Sequence, residues 1–221
     1  MRKIIDVYSR ALKRHTVGIR FGEIWQNQDA KKWFDESKLQ MPLVTEDIIN
    51  FIKKQTCSTS FLDIGCGPGI YPILYKELFL NRHYTGIDIS KSFINFCKNN
   101  SDFEFICDDF LKRDFISKFD CIFSRSVIDH VNDVDLFLKK IVTNCTKSAY
   151  IYAYRGFYPE LLEHKSVLDR NGGYFMNNLS PKKLSDSLIE AGLSENEFVV
   201  RPKNSGFDKW KVGCVIEIEK F

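Results

Sequence analysis

Beyond about residue 60 the chain alternates short β-branched and aromatic runs with stretches of helical period, the pattern of βαβ units around a mainly parallel sheet. The strand-like runs are Phe61–Ile64, Tyr84–Asp88, Phe103–Cys107, Phe119–Ser124, Ala149–Tyr154, Glu197–Arg201 and Val212–Glu219. The last two are joined by a connection containing Pro202, Asn204, Ser205 and Gly206, too short for a crossover helix, so they are expected to pair antiparallel. Helices fill the gaps. Thr45 is expected to cap one that runs to about Gln55 and turns Ile48, Ile49 and Ile52 to one side, and Ser90 to cap another with Phe93, Ile94 and Cys97 inward. Ser180 followed by Pro181 starts a third, over 181–191, that stops at Gly192. The expected fold class is α/β, with a seven-stranded, mainly parallel sheet, helices on both faces and a C-terminal antiparallel hairpin.

Two segments fall outside this rhythm. Residues 1–42 are basic and aromatic and include Trp25 and Trp33, while residues 155–179 contain Gly156, Gly172 and Gly173 but little periodicity. A stretch as long as the second, without structure of its own, is usually a lid or a binding segment. The expected division is therefore an N-terminal cap over 1–42 and a main domain over 43–221, with 155–179 inserted as part of the cap. A chain of 221 residues suits one core, and 44% hydrophobic with 28% charged residues is the composition of a folded globular domain, which excludes disorder.

Charge and cysteine change the picture little. The net charge of +3 is small, although residues 1–20 hold Arg2, Lys3, Arg10, Lys13, Arg14 and Arg20 against Asp6; that excess can steer an anion, or it is a solvated helix face. Seven cysteines form no C-x-x-C pair, which argues against a metal, and Cys107, Cys121 and Cys214 lie in apolar runs where a reduced thiol acts as a small buried hydrophobe. This fits a reducing cytoplasm. No apolar stretch approaches the length needed to cross a bilayer, so a soluble protein without a membrane partner is expected.

The chemistry begins at Phe61-Leu-Asp-Ile-Gly-Cys-Gly-Pro-Gly-Ile, an apolar strand entering Gly65, Gly67 and Gly69. A strand, a glycine-rich turn and a helix start together make a cradle for a nucleotide-like cofactor. The third glycine comes one residue earlier than in the dinucleotide fingerprint G-x-G-x-x-G and follows Pro68. The run Asp63-Ile-Gly-Cys-Gly-Pro-Gly resembles motif I of the class I S-adenosylmethionine-dependent methyltransferases, which are Rossmann-like. The next strand ends in Asp88, followed by Ile89, where a carboxylate can accept from both ribose hydroxyls. Cys107-Asp-Asp-Phe then looks like the adenine segment of that family, with Asp108, or its neighbour Asp109, accepting from the adenine amine and Phe110 lining the ring. Phe119-Asp-Cys-Ile-Phe-Ser-Arg-Ser-Val-Ile-Asp-His-Val is similar to the segment that closes the methionine side, which implicates Ser124 and Arg125.

The resemblance implies S-adenosyl-L-methionine as cofactor, with Asp63, Cys66 and the three glycines at the turn. Asp63 either touches the ligand or satisfies backbone donors, and Cys66 is a small residue the turn tolerates. It also implies methyl transfer to a small-molecule acceptor, an oxygen or a nitrogen. The candidate base is His130, with Asp129 as partner or competitor; a structural role for His130 stays open. Tyr154 and Arg155 reach the C-terminal sheet edge, and Tyr158, His164, Arg170 and Tyr174 could join them from the lid, a mixture suited to a polar or anionic metabolite. Ser124-Arg-Ser-Val differs from the proline-aromatic motif of DNA base methylation and there is no basic-aromatic stripe, so nucleic acid is disfavoured. A non-catalytic cofactor-binding subunit or sensor, and a nicotinamide-dependent oxidoreductase, are the competing readings. Exposed aromatic side chains in the first forty residues could instead serve a homodimer contact.

Overall fold

The computed structural model describes residues 22–26, 28–40, 42–170, 173–207 and 210–221; the basic cluster from Arg2 to Arg20 and Gly172 lie outside the described residues. Three helices lead in: α1 (Glu23–Gln26), α2 (Ala30–Gln40) and α3 (Pro42–Lys54). Alternating elements follow: β1 (Ser60–Ile64), α4 (Ile70–Leu74), β2 (His83–Asp88), α5 (Lys91–Asn100), β3 (Glu104–Cys107), β4 (Phe119–Arg125), α6 (Val134–Asn144) and β5 (Cys145–Ala153). The chain ends with β6 (Lys165–Asp169), β7 (Tyr174–Asn178), α7 (Pro181–Glu190), β8 (Phe198–Phe207) and β9 (Trp210–Glu219).

Seven strands form one sheet in the order β3-β2-β1-β4-β5-β9-β8. β1 pairs in parallel with both β2 and β4, so the winding reverses beside it and opens a crevice at the C-terminal strand ends, where ligands of open α/β sheets bind. β9 runs antiparallel to β5 and to β8, as the short connection requires. The alternation of side chains splits the core into two layers. Leu62, Ile122 and Ile151 face the layer holding Phe137 and Ile141 of α6 and Leu184 of α7, whereas Phe61, Phe123 and Tyr152 face the layer holding Ile48 and Ile52 of α3 and Ile94 of α5. Tyr150 and Tyr152 are packing residues of that second layer.

Four expectations need correction. Thr45 does not cap its helix: α3 starts at Pro42, and Thr45 is buried within it. Proline at a helix start needs no N–H partner, which a search for side-chain caps overlooks. Residues 155–179 are not structureless, because β6 and β7 pair antiparallel from Lys165↔Asn178 to Asp169↔Tyr174. Polar Asn177 and Asn178 and the exposed run of β6 hide the two-residue period that marks a half-buried strand. Cys107 is exposed, unlike Cys121 and Cys214, because β3 is the outermost strand of the sheet and ends there. The C-terminal hairpin is longer than its apolar runs suggested, and Glu197 belongs to the short 3-10 turn before it. The caps Ser90 and Ser180 stand as expected, each hydroxyl accepting from the backbone N–H three residues on, Phe93 and Lys183.

Phe123 is fully buried in β4, its ring edge-on to Tyr71 at 5.4 Å. Phe123→Ala is expected to lower stability by about 3–5 kcal/mol. Urea unfolding followed by circular dichroism measures this, and an unchanged midpoint would contradict the two-layer core.

Candidate functional site

The crevice at the reversal point holds a cleft of about 470 Å³, and its floor is the glycine turn. Gly65, Gly67 and Gly69 all take positive φ (70°, 53° and 78°), which residues with a Cβ rarely adopt. Space adds to conformation at Gly65, where a Cβ would stand 2.1 Å from Cγ2 of Val127. The N–H groups of Gly65 and Cys66 donate to the carbonyl of Ile87 at 2.8 and 3.2 Å, tying the turn to β2.

Asp88, at the end of β2, accepts from Gly67 N–H at 3.0 Å with one oxygen and from Ser90 N–H at 2.8 Å with the other. Its carboxyl is pushed up to about 6 by desolvation, a rise restrained by those two backbone donors. Asp108 and Asp109 follow at the end of β3. Asp108 pairs with Arg113 at 3.2 Å, while Asp109 accepts from Leu111 N–H and meets Lys112, so each carboxylate is fixed locally. Phe110, Ile89 and Phe93 supply apolar walls. Arg125 is the one Lys or Arg among the described lining residues; its Nη1 donates to Thr45 Oγ1 at 3.1 Å and its guanidinium lies over Tyr71.

The other end of the cleft is built around His130. The backbone carbonyl of Phe175 lies 2.9 Å from Nδ1 and can only accept, so Nδ1 carries the proton of the neutral ring. Nε2 is then the lone-pair nitrogen and accepts from the Tyr154 hydroxyl at 3.1 Å. Burial chiefly holds the imidazole below its usual pKa, with Arg155 adding to the effect and the Phe175 carbonyl opposing it. Tyr154 is pushed up to about 12, also by burial. The β6–β7 hairpin thus sets the histidine tautomer. It also holds the loop that carries His130: the side-chain amide of buried Asn177 donates to the carbonyls of Ile128 and Val131, and its backbone N–H donates to Asp129 O.

Several sequence candidates do not line the cleft. Asp63 lies beneath the turn, 2% exposed, accepting from Tyr84 Oη at 2.8 Å; burial raises its carboxyl to about 7. Gly69 begins α4. Ser124 donates to Ile64 O at 3.1 Å between strands. Asp129 is fully buried and accepts from the Arg155 backbone N–H at 3.0 Å; Arg155 is buried too, its guanidinium against the Tyr154 ring. His164 accepts from Ser180 N–H at 3.0 Å at the start of α7, and Arg170 is exposed on the hairpin. Tyr174 packs on His130, and Tyr158 bonds through its backbone to Leu179.

Sequence reasoning missed other lining residues. Trp25, Trp33 and Glu36 reach the cleft from the N-terminal helices, which no motif marks. Ser90 Oγ donates to Trp25 O at 2.8 Å, and Gly22 N–H donates to Gly173 O at 2.8 Å, so this segment is tied to the end of β2 and to the hairpin. Ser126 has φ 59°, and its buried hydroxyl has no partner among the described residues. An orphaned hydroxyl, open space at Gly67 and a carboxylate at the strand end fit a ligand with a ribose and an amino-acid tail.

A family model described as "Methyltransferase domain" matches residues 55–210. The chain belongs to that family, within the Rossmann-like class I of S-adenosylmethionine-dependent methyltransferases. Among curated proteins it is 29% identical over 133 residues to the ubiquinone biosynthesis O-methyltransferase of Pelagibacter ubique, covering 50% of this chain and 54% of that one. It is 30% identical over 97 residues to (S)-tetrahydroprotoberberine N-methyltransferase of Eschscholzia californica, covering 41% of this chain and 28% of that protein. The chain thus spans about half or less of the length of these relatives. The crystal structure of Burkholderia thailandensis 1,6-didemethyltoxoflavin-N1-methyltransferase superposes with a TM-score of 0.61 at 12% identity, over 97% of this chain and 89% of that one. Magnesium protoporphyrin IX methyltransferase from Synechocystis, with bound SAM, gives 0.59 at 12% identity over 90% and 88%.

Gly65→Ala would drive Val127 away from the turn, so it is expected to lower both the melting temperature and the affinity for S-adenosylhomocysteine. A thermal-shift titration reads both, and a variant with wild-type melting and wild-type ligand response would show the contact to be dispensable.

Proposed function

We propose that this chain transfers a methyl group from S-adenosylmethionine to a small-molecule acceptor. The observation that carries the reading is the Asp88 carboxylate, fastened between the glycine turn and the start of α5 at the edge of a cleft of about 470 Å³. Bound there, S-adenosylmethionine supplies an electrophilic methyl on a positively charged sulfur. Asp88 would accept from the ribose hydroxyls, while Asp108, or Asp109, and Phe110 would hold the adenine. Ile89, Cys66, Gly65 and Gly67 would form the near wall, and Arg125 would meet the carboxylate of the amino-acid tail. The main domain over 43–221 carries this site; the cap from the N-terminal segment and residues 155–179 would exclude water, which favours an in-line displacement that depends on alignment.

His130 serves as the base. Nε2 accepts the Tyr154 proton as Tyr154 takes one from the acceptor's hydroxyl or amine, and the Phe175 carbonyl supports the imidazolium that results. A hydroxyl benefits most from such a base. Arg155 and His164, which pointed to an anionic acceptor, do not line the cleft, so support for that preference rests on Arg125 alone.

Calorimetric titration with S-adenosylmethionine, S-adenosylhomocysteine and NAD tests the cofactor. Micromolar binding of the sulfur compounds is expected, weakened roughly 10- to 100-fold in Asp88→Ala, since charged hydrogen bonds contribute about 1.5–3 kcal/mol each. NAD binding without either sulfur compound would defeat the proposal. Because the ionised carboxylate is the acceptor, affinity should be full above the Asp88 pKa of about 6 and decline as pH falls through it. With an acceptor in hand, His130→Ala should reduce kcat by about 10²–10⁴-fold and abolish the acid limb of the pH profile. An unchanged rate across pH would remove His130 from the chemistry. Turnover with no acceptor in a broad metabolite panel, despite tight cofactor binding, would favour the sensor.

A further inference from the structure

The acceptor end of the cleft differs in character from the cofactor end. Trp25 and Trp33 stand 5.9 Å apart, edge to face, and Trp25 lies 5.8 Å from the His130 ring. With Tyr154 they make an aromatic wall, and Glu36 lines the same cleft. The indole N–H of Trp33 is occupied by Gln28 Oε1 at 2.9 Å, which leaves its ring rather than its donor for a ligand. Among the described lining residues Glu36, Asp88, Asp108 and Asp109 are acidic and Arg125 is the one Lys or Arg, its guanidinium held by Thr45 and Tyr71. Arg113 and Lys112 pair with Asp108 and Asp109, and two backbone N–H groups hold Asp88, which leaves Glu36 as the carboxylate for the acceptor. Arg155 lies behind Tyr154 rather than in the cleft, beside the buried carboxylate of Asp129. Burial holds the His130 imidazole below its usual pKa. Lys32 lies 3.8 Å from Glu36, with the lysine side chain 69% and the glutamate 45% exposed, so that pair neutralises little.

Aromatic faces attract cations through the ring quadrupole, and a cleft lined by one sign of charge concentrates the opposite sign. We infer that the acceptor is a flat, largely apolar molecule carrying a cationic amine, held against Trp25 and Trp33 with Glu36 as counter-charge. This rests on the methyltransferase reading and reverses the sign of the acceptor charge that the sequence suggested. A carboxylate or phosphate at the same place would meet the aromatic faces and Glu36 with no basic lining residue, among the described ones, beyond the Arg125 assigned to the cofactor's carboxylate.

Three probes share one ring and differ in charge: 1-naphthylmethylamine, 1-naphthalenemethanol and 1-naphthoic acid. Each is titrated by calorimetry at pH 7.5 into protein saturated with S-adenosylhomocysteine. The ammonium is expected to bind roughly ten-fold more tightly than the alcohol, and the carboxylate most weakly. Trp25→Ala should remove most of that preference, and Trp25→Phe, which keeps an aromatic face, should retain part of it. A carboxylate that binds as tightly as the ammonium overturns the inference, and so does failure of all three probes to bind to protein that holds S-adenosylhomocysteine. Protein that does not bind S-adenosylhomocysteine at all would instead remove the methyltransferase reading, and this inference with it.

Discussion

Two backbone N–H groups, from Gly67 and Ser90, converge on the two oxygens of Asp88, and the site depends on that convergence. It joins the turn leaving β1 to the start of α5, so the floor of the cleft and the side formed by α5 cannot move independently. The turn accepts this only because its glycines reach backbone angles and approaches that a side chain would block, most directly at Gly65 against Val127. Val127 belongs to the loop that ends in His130, so the same contact positions the His130 end of the cleft relative to the floor. One carboxylate and one glycine therefore set the distance between the two halves of the cleft.

The strands and the antiparallel C-terminal hairpin were legible because the physics behind them is local. Leu62 and Phe61, or Ile122 and Phe123, alternate between two buried layers, and alternation is written directly in the chain. The glycine turn and Asp88 were legible for a related reason, since backbone angles and strand ends leave compositional marks. What depended on distant partners was not. Thr45 looked like a cap because of its neighbours, yet it lies within α3 and meets Arg125 across the fold. Arg155 and His164 looked like ligand contacts because of their type and position; Arg155 is buried against the Tyr154 ring and His164 accepts from the Ser180 N–H. Trp25 and Trp33 had no motif, and only their packing over the end of β2 places them in the cleft.

The N-terminal segment and the β6–β7 hairpin meet through the Gly22 N–H, which donates to Gly173 O. Both elements also touch His130, the first through Trp25 and the second through Phe175 and Tyr174. The orientation of the imidazole therefore depends on both elements at once.

Asn177 gives the hairpin a further significance. One buried side-chain amide satisfies the carbonyls of Ile128 and Val131, which lie in a segment with no strand partner of its own. Buried carbonyls without partners are costly, so the segment cannot keep its shape if the hairpin leaves. Loop and hairpin consequently form a single cooperative unit of local opening, and their amide protons would become exchangeable together. In evolutionary terms, the outer face of the hairpin is free to vary and even lengthen, whereas the residue at 177 is tied to a loop nearly fifty positions earlier in the chain.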